Sequence, residues 1–241
     1  MTTGVPRIAV LCWEEGLVPR GLVQLETLPG NSTNPRTYPY PVRFCRIEGA
    51  TTETVLENPS EKVLRNTIEA SRRLVAEGVR VVTTSCGFNA IFQNELSASV
   101  GAAVYTSSLL QVPLVRRTLG YDKKIAVVTA RKSALRDEHL RAVGIEPDMN
   151  VEIFGLESCA EWNKIFAAPD EEVDLAQIER EVVGTAKRAA EEHPDIGAFV
   201  LECTDLPPFS AAIRRETGLP VHDFTTMVGL AASACGILPS F

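Results

Sequence analysis

No apolar run in the chain approaches the roughly 18–20 residues needed to cross a bilayer. No cluster of Lys or Arg is dense enough to track a phosphate backbone, and 24 basic against 31 acidic residues leave a net charge of -7. Nucleic acid and membrane surfaces are therefore excluded as expected partners. Histidine is scarce, with three in 241 residues, and none stands at zinc-ligand spacing to a cysteine. No two of the six cysteines form a CxxC pair, which argues against a structural zinc or a thioredoxin-like site. GxGxxG, P-loop and HExxH motifs are missing as well, so no flavin, nicotinamide or metal cofactor is expected. The first apolar run, Ile8–Cys12, is too short for a secretory signal and lacks a small-residue cleavage site, so the expected location is cytoplasmic. In that reducing compartment each cysteine is by default a free, buried thiol.

What is present is a repeat. Arg7-Ile-Ala-Val-Leu-Cys12 reads like Lys124-Ile-Ala-Val-Val-Thr129. The same offset carries Cys86 onto Cys203, Phe92 onto Phe209, Gly101 onto Gly218 and Val104 onto Val221, without a gap. Val79–Thr84 and Ile196–Leu201 are short apolar runs of the kind found in strands covered on both faces. Each leads through a cysteine into a helix-period stretch that ends near a glycine, followed by a second short strand. Longer helices are expected from about Pro59 to Glu77, with Leu64, Ile68 and Val75 on one side, and from Asp174 to Glu192, with Leu175, Ile178, Val182 and Ala186 inward. Strands alternating with helices imply βαβ units and mostly parallel sheets. The expected fold is α/β: two pseudo-symmetric flavodoxin-like halves with a cleft between them. Residues 1–119, joined by a C-terminal helix within 223–241, make the first half with Cys86, and 120–222 make the second with Cys203.

Trp13–Asn58 breaks the symmetry. It is dense in turn residues and reads as a long loop, either an active-site lid or an ordered surface arm or dimer contact.

Ligand crevices of open α/β sheets lie beyond the C-terminal strand ends, and both Cys86 and Cys203 sit there, just before a helix. Unpaired N–H groups at such a place bind carboxylates and favour thiolates. Two thiols projecting into one cleft from opposite sides suit inversion of a carbon α to a carboxylate, one removing a proton and the other returning it. Donors expected to hold the substrate and stabilise the carbanion are Thr84, Ser85, Gly87, Ser107, Ser108, Thr129 and Thr204, with Trp13 against an apolar substituent or serving as a core or lid anchor. The other four cysteines read as incidental, although Cys12, at a strand end, could line the cleft.

Thr83-Thr-Ser-Cys-Gly-Phe88 and Leu201-Glu-Cys-Thr-Asp-Leu-Pro-Pro208, on two similar halves, resemble the aspartate/glutamate racemase superfamily, which includes hydantoin racemases, maleate isomerases and arylmalonate decarboxylases. The resemblance implies catalysis without pyridoxal phosphate, with Cys86 and Cys203 as the two bases. A racemase or epimerase is thus expected, acting on a small carboxylate or cyclic ureide, with a homodimer plausible by analogy. A cis–trans isomerase, a decarboxylase or a non-catalytic small-acid binding protein are the alternatives. Amino-acid racemases show Cys-Asn-Thr and Cys-Thr-His where this chain has Cys86-Gly87-Phe88 and Cys203-Thr204-Asp205. Asp205 is expected to cap the following helix; close to the thiol and ionised, it would instead raise the thiol's pKa.

Overall fold

Short runs of Val, Ile and Ala, too brief for helices and apolar on both faces, become the central strands of two parallel sheets. In the computed structural model, which describes residues 6–238, the elements run β1 (Ile8–Cys12), α1 (Arg20–Leu25), β2 (Val42–Arg46), α2 (Glu61–Ala76), β3 (Val81–Thr84), α3 (Gln93–Val100), β4 (Ala103–Tyr105) and α4 (Val112–Thr118). There follow β5 (Lys124–Thr129), α5 (Asp137–Ala142), β6 (Val151–Gly155), α6 (Ala160–Ala167), α7 (Leu175–Glu192), β7 (Ile196–Leu201), α8 (Ser210–Thr217), β8 (Val221–His222) and α9 (Phe224–Ala234). Residues 1–5 and 239–241, which the sequence reading assigns to the first half, lie outside the described residues.

Each sheet has four parallel strands, in the order β2-β1-β3-β4 and β6-β5-β7-β8. The two orders are the same order, as the repeat requires. Ile8 pairs with Val42 on one side and Val81 on the other; Ile125 pairs with Val151 and Ala198. α3 and α8 both end at a left-handed glycine, Gly101 (φ 72°) and Gly218 (φ 69°), a conformation that costs a side chain dearly and glycine nothing.

α7 buries Ile178, Val182 and Ala186 as its periodicity indicates, and Asp174 caps it by accepting from the N–H groups of Ala176 and Gln177. α2 is rotated relative to the expected stripe: Val63, Thr67, Ala70, Ser71 and Leu74 are its buried residues, while Leu64, Ile68 and Val75 pack at the margin. One apolar core runs through both halves. A second cluster forms where α9 returns to the first sheet, laying Phe224, Met227, Val228 and Ala231 against Ile8, Val10 and Val81. No helix among the described residues is long and apolar enough to cross a membrane.

Residues 13–58 are not a loop. They contain α1, β2 and a π-helical turn at Thr52–Glu57. Prolines and glycines made the segment look unstructured, and β2, a half-exposed edge strand of mixed polarity, lacks the apolar run that marks the central strands. The segment also crosses to the second half. The Gln24 side chain donates to Val173 O (3.2 Å) and accepts from Val173 N (2.7 Å), while Arg20 N donates to Pro169 O (2.7 Å). Ser32 N donates to Thr204 O (3.3 Å), beside the second cysteine. The arm is therefore clasped across the cleft.

Candidate active site

β3 and β7 end side by side at the junction of the halves, and each chain leaves its sheet through a cysteine. Cys86 precedes a 3-10 turn at Gly87–Phe92, and Cys203 precedes one at Pro207–Phe209. The two turns are tied directly: Thr204 Oγ1 donates to Ser85 O (2.6 Å). Both sulfurs line one pocket, with residues 8% and 9% exposed respectively. Neither is walled off in packed interior.

Of the residues expected to hold substrate, Trp13, Ser85, Gly87 and Thr204 line that pocket with the cysteines. Thr84, Ser107, Ser108 and Thr129 do not line it. Their hydroxyls face inward and are spent on structure: Thr84 donates to Thr106 O (2.7 Å), Ser107 caps Leu109 N (3.3 Å), Ser108 donates to Leu201 O (2.5 Å) and Thr129 donates to Glu202 Oε2 (2.7 Å). For Thr84 and Thr129, position at a strand end fixes where the residue lies but not which face of the pleat its side chain takes. Cys12 is also turned away, buried in the cluster under α9, where burial pushes its pKa up to about 12.

Asp205 does not cap a helix. The following 3-10 turn is flanked by Leu206 without any side-chain cap. Asp205 instead faces the pocket, where Oδ1 accepts from Asn31 Nδ2 (2.7 Å) and Oδ2 accepts from Cys203 Sγ (3.5 Å). Two prolines after Leu206 provide their own helix start, which leaves the carboxyl free to turn toward the sulfur. Burial pushes Asp205 up to about 6, against the hydrogen bond from Asn31.

The arm supplies a wall that sequence reasoning missed. Val18, Leu22, Glu26 and Thr33 come from it, and Arg46 from the end of β2. Burial raises the Glu26 pKa, offset by Arg46 and by a hydrogen bond from Thr33. Arg46 donates to Trp13 O (3.3 Å) and makes no ion pair among the described residues. Phe88 and Phe166 complete an aromatic lining with Trp13, whose Nε1–H is buried beside Cys86 with no hydrogen-bond acceptor among the described residues. His139 of α5 meets the Phe88 ring edge-on at 5.7 Å, locking it from the other half. A signal for Arg46 did exist: β6 in the second half required a counterpart strand between β1 and α2, and ligand-facing residues sit at strand ends.

Burial also pushes both thiols well above the ordinary thiol range, and the carboxyls of Glu202 and Asp205 add to the shift. An isolated thiolate here is costly. A cation entering the pocket would lower that cost, and the aromatic rings offer it a face. The arrangement is thus suited to removing a proton from a small acid that brings positive charge with it.

No family model matches the chain. It is 35% identical over 213 residues to a dimethylsulfoniopropionate lyase of Durusdinium sp. clade D, covering 84% of this chain and 70% of that one. It is 29% identical over 222 residues to dimethylsulfoniopropionate lyase 5 of Emiliania huxleyi (strain CCMP1516), covering 88% of this chain but only 44% of that one. The chain thus spans less than half the length of the second relative. In structure it superposes on allantoin racemase from Pseudomonas fluorescens with a TM-score of 0.57 at 15% identity, covering 97% and 93% of the two chains. An aspartate racemase homologue from Pyrococcus horikoshii OT3 gives 0.58 at 16%, covering 96% and 100%. A sulfate-associated variant of arylmalonate decarboxylase gives 0.54 at 21%, covering 95% and 92%. The chain shares the fold of these racemases and of the decarboxylase, and it belongs to the family of the dimethylsulfoniopropionate lyases, whose named members are enzymes.

Proposed function

We propose that this protein is a lyase that eliminates a neutral sulfide from a 3-sulfonio carboxylate of the dimethylsulfoniopropionate type. The observation that carries the reading is one pocket in which two thiols meet an unpaired guanidinium and an aromatic wall. Arg46 suits the carboxylate, and Trp13, Phe88, Phe166 and Glu26 suit the sulfonium. The free space between these residues, about 520 Å³, includes the open mouth of the pocket.

In this reading Asp205 takes the proton of Cys203, across the 3.5 Å contact between them. The Cys203 thiolate then removes the proton α to the carboxylate. The released electron pair forms the carbon–carbon double bond as the carbon–sulfur bond breaks, its pair going to sulfur. Dimethyl sulfide leaves uncharged, acrylate remains, and the substrate proton passes through Cys203 and Asp205 to solvent. Because the leaving group departs neutral, it needs no acid. Cys86, with the Trp13 N–H beside it, would donate to the enolate-like carboxylate as charge builds.

A second reading is favoured by the cysteine pair itself. Two-base inversion requires a thiol on each side, whereas elimination requires one base. The two are separated by incubating the purified protein with dimethylsulfoniopropionate and measuring dimethyl sulfide in the headspace and acrylate by NMR, beside polarimetry on chiral amino acids and hydantoins. Sulfide release with unchanged optical rotation supports the lyase. Loss of rotation without sulfide release supports the racemase and overturns our reading.

A further inference from the structure

Glu202 stands outside the chemistry assigned above. It directly precedes Cys203, its side chain is wholly buried, and it does not line the pocket. One carboxyl oxygen accepts from Thr129 Oγ1 (2.7 Å); the other, Oε1, has no partner among the described residues. That second oxygen lies against Gly87, immediately after the other cysteine. A Cβ placed on Gly87 would come within 2.3 Å of Oε1 and 2.2 Å of the Glu202 carbonyl oxygen. Gly87 is therefore the only kind of residue that leaves room for this carboxyl, which is wedged between the two cysteine turns.

Three other acids face it: Cys86 from the first half, and Cys203 and Asp205 from its own turn. No Lys, Arg or His lies within ion-pair distance of it among the described residues. Arg46, across the pocket, is the cation that faces the cysteines and Asp205, and the four acids packed this closely titrate as a unit, each ionisation suppressing the next.

We propose that Glu202 is a positioning residue whose buried proton sets the ionisation of both cysteines: while it is neutral they can form a thiolate, and when it ionises it switches them off. Burial, the larger effect, together with the charge of Asp205, pushes Glu202 up to about 7, above Asp205 at about 6. Asp205 thus ionises first, as the Cys203 step requires, while Glu202 still holds its proton. As pH rises further, the glutamate charge appears beside both sulfurs and raises the cost of a thiolate. The alkaline limb of activity then belongs to a carboxyl that never touches substrate.

The inference rests on the cysteines being the reactive groups, but its test needs no turnover. The wild-type protein and Glu202→Gln are treated with iodoacetamide between pH 6 and 9, and alkylation of Cys86 and Cys203 is followed by peptide mass spectrometry, with circular dichroism to verify the fold. In wild type, alkylation should rise less steeply than hydroxide concentration above about pH 7. In the glutamine variant it should keep rising, exceeding wild type several-fold at pH 8, since one unit of thiol pKa changes the thiolate population about tenfold. If Glu202→Gln does not fold, Thr129→Val supplies the second arm. Losing the hydroxyl that favours the ionised form should move the inflection to higher pH. Superimposable profiles in a folded variant overturn the proposal, whatever the protein does with a sulfonium substrate.

Discussion

Replacing Glu202 by Gln should change stability in a way that depends on pH, and the size can be worked out. The carboxyl titrates at about 7 when folded against a model value of 4.5. The folded protein therefore holds a proton that the unfolded chain releases, and stability present at low pH is lost as pH rises from 4.5 through 7. At pH 8 the loss amounts to about 3 kcal/mol, and at pH 5 to about 1 kcal/mol, from about 1.4 kcal/mol per unit. Gln cannot ionise and escapes both losses. Any cost of seating an amide nitrogen against Gly87 is the same at the two pH values and cancels in the comparison. The thermal midpoint gain of the variant should thus be roughly 4–8 °C larger at pH 8 than at pH 5, using about 2–4 °C per kcal/mol for a chain of this size. Differential scanning fluorimetry of both proteins at both pH values measures it. An equal gain at the two values, or a smaller one at pH 8, would refute the claim that this carboxyl is held neutral by burial.

Three further outcomes follow from the same contacts. Gly87→Ala forces a Cβ into the Glu202 carbonyl and should cost about 1–3 kcal/mol in denaturant melts while lowering cysteine reactivity, since the turn carrying Cys86 must shift. Gln24→Ala removes both hydrogen bonds to the Val173 backbone and should cost about 1–2 kcal/mol; hydrogen exchange should then quicken selectively in α1, and unchanged exchange would show that the arm is held by something else. Asp205→Asn should lower turnover at every pH and abolish the acid limb near 6, because an amide cannot take the Cys203 proton; a surviving acid limb in the pH–rate profile would assign that limb to another group.

The duplicated architecture was legible because both copies keep the features physics demands: apolar central strands, glycines at the left-handed helix ends and a cysteine at each matching strand end. β2 and α1 were not, because an edge strand needs no continuous apolar run and α1 is short and lies among prolines. The pocket was half legible. Cys86, Cys203, Ser85, Gly87 and Thr204, singled out by their position after a strand, line it, whereas pleat alternation turned Thr84 and Thr129 inward. Arg46, Glu26 and Phe166 reach the pocket from segments distant in sequence, which no local pattern encodes. Asp205 illustrates a different limit: N-cap preference described the residue type well, but the prolines behind it had already removed the need for a cap.

The claim on which the rest depends is that the two sulfurs share one substrate, with Cys203 removing its α-proton. The direct measurement is kcat/KM for dimethylsulfoniopropionate in Cys203→Ala and Cys86→Ala, each verified as folded, with the wild type also assayed on substrate deuterated at the α-carbon. A loss of about 10²–10⁴-fold for Cys203→Ala, a smaller loss of at least about tenfold for Cys86→Ala and a primary isotope effect in wild type are the expected results. Full activity in both variants, with no isotope effect, would contradict it.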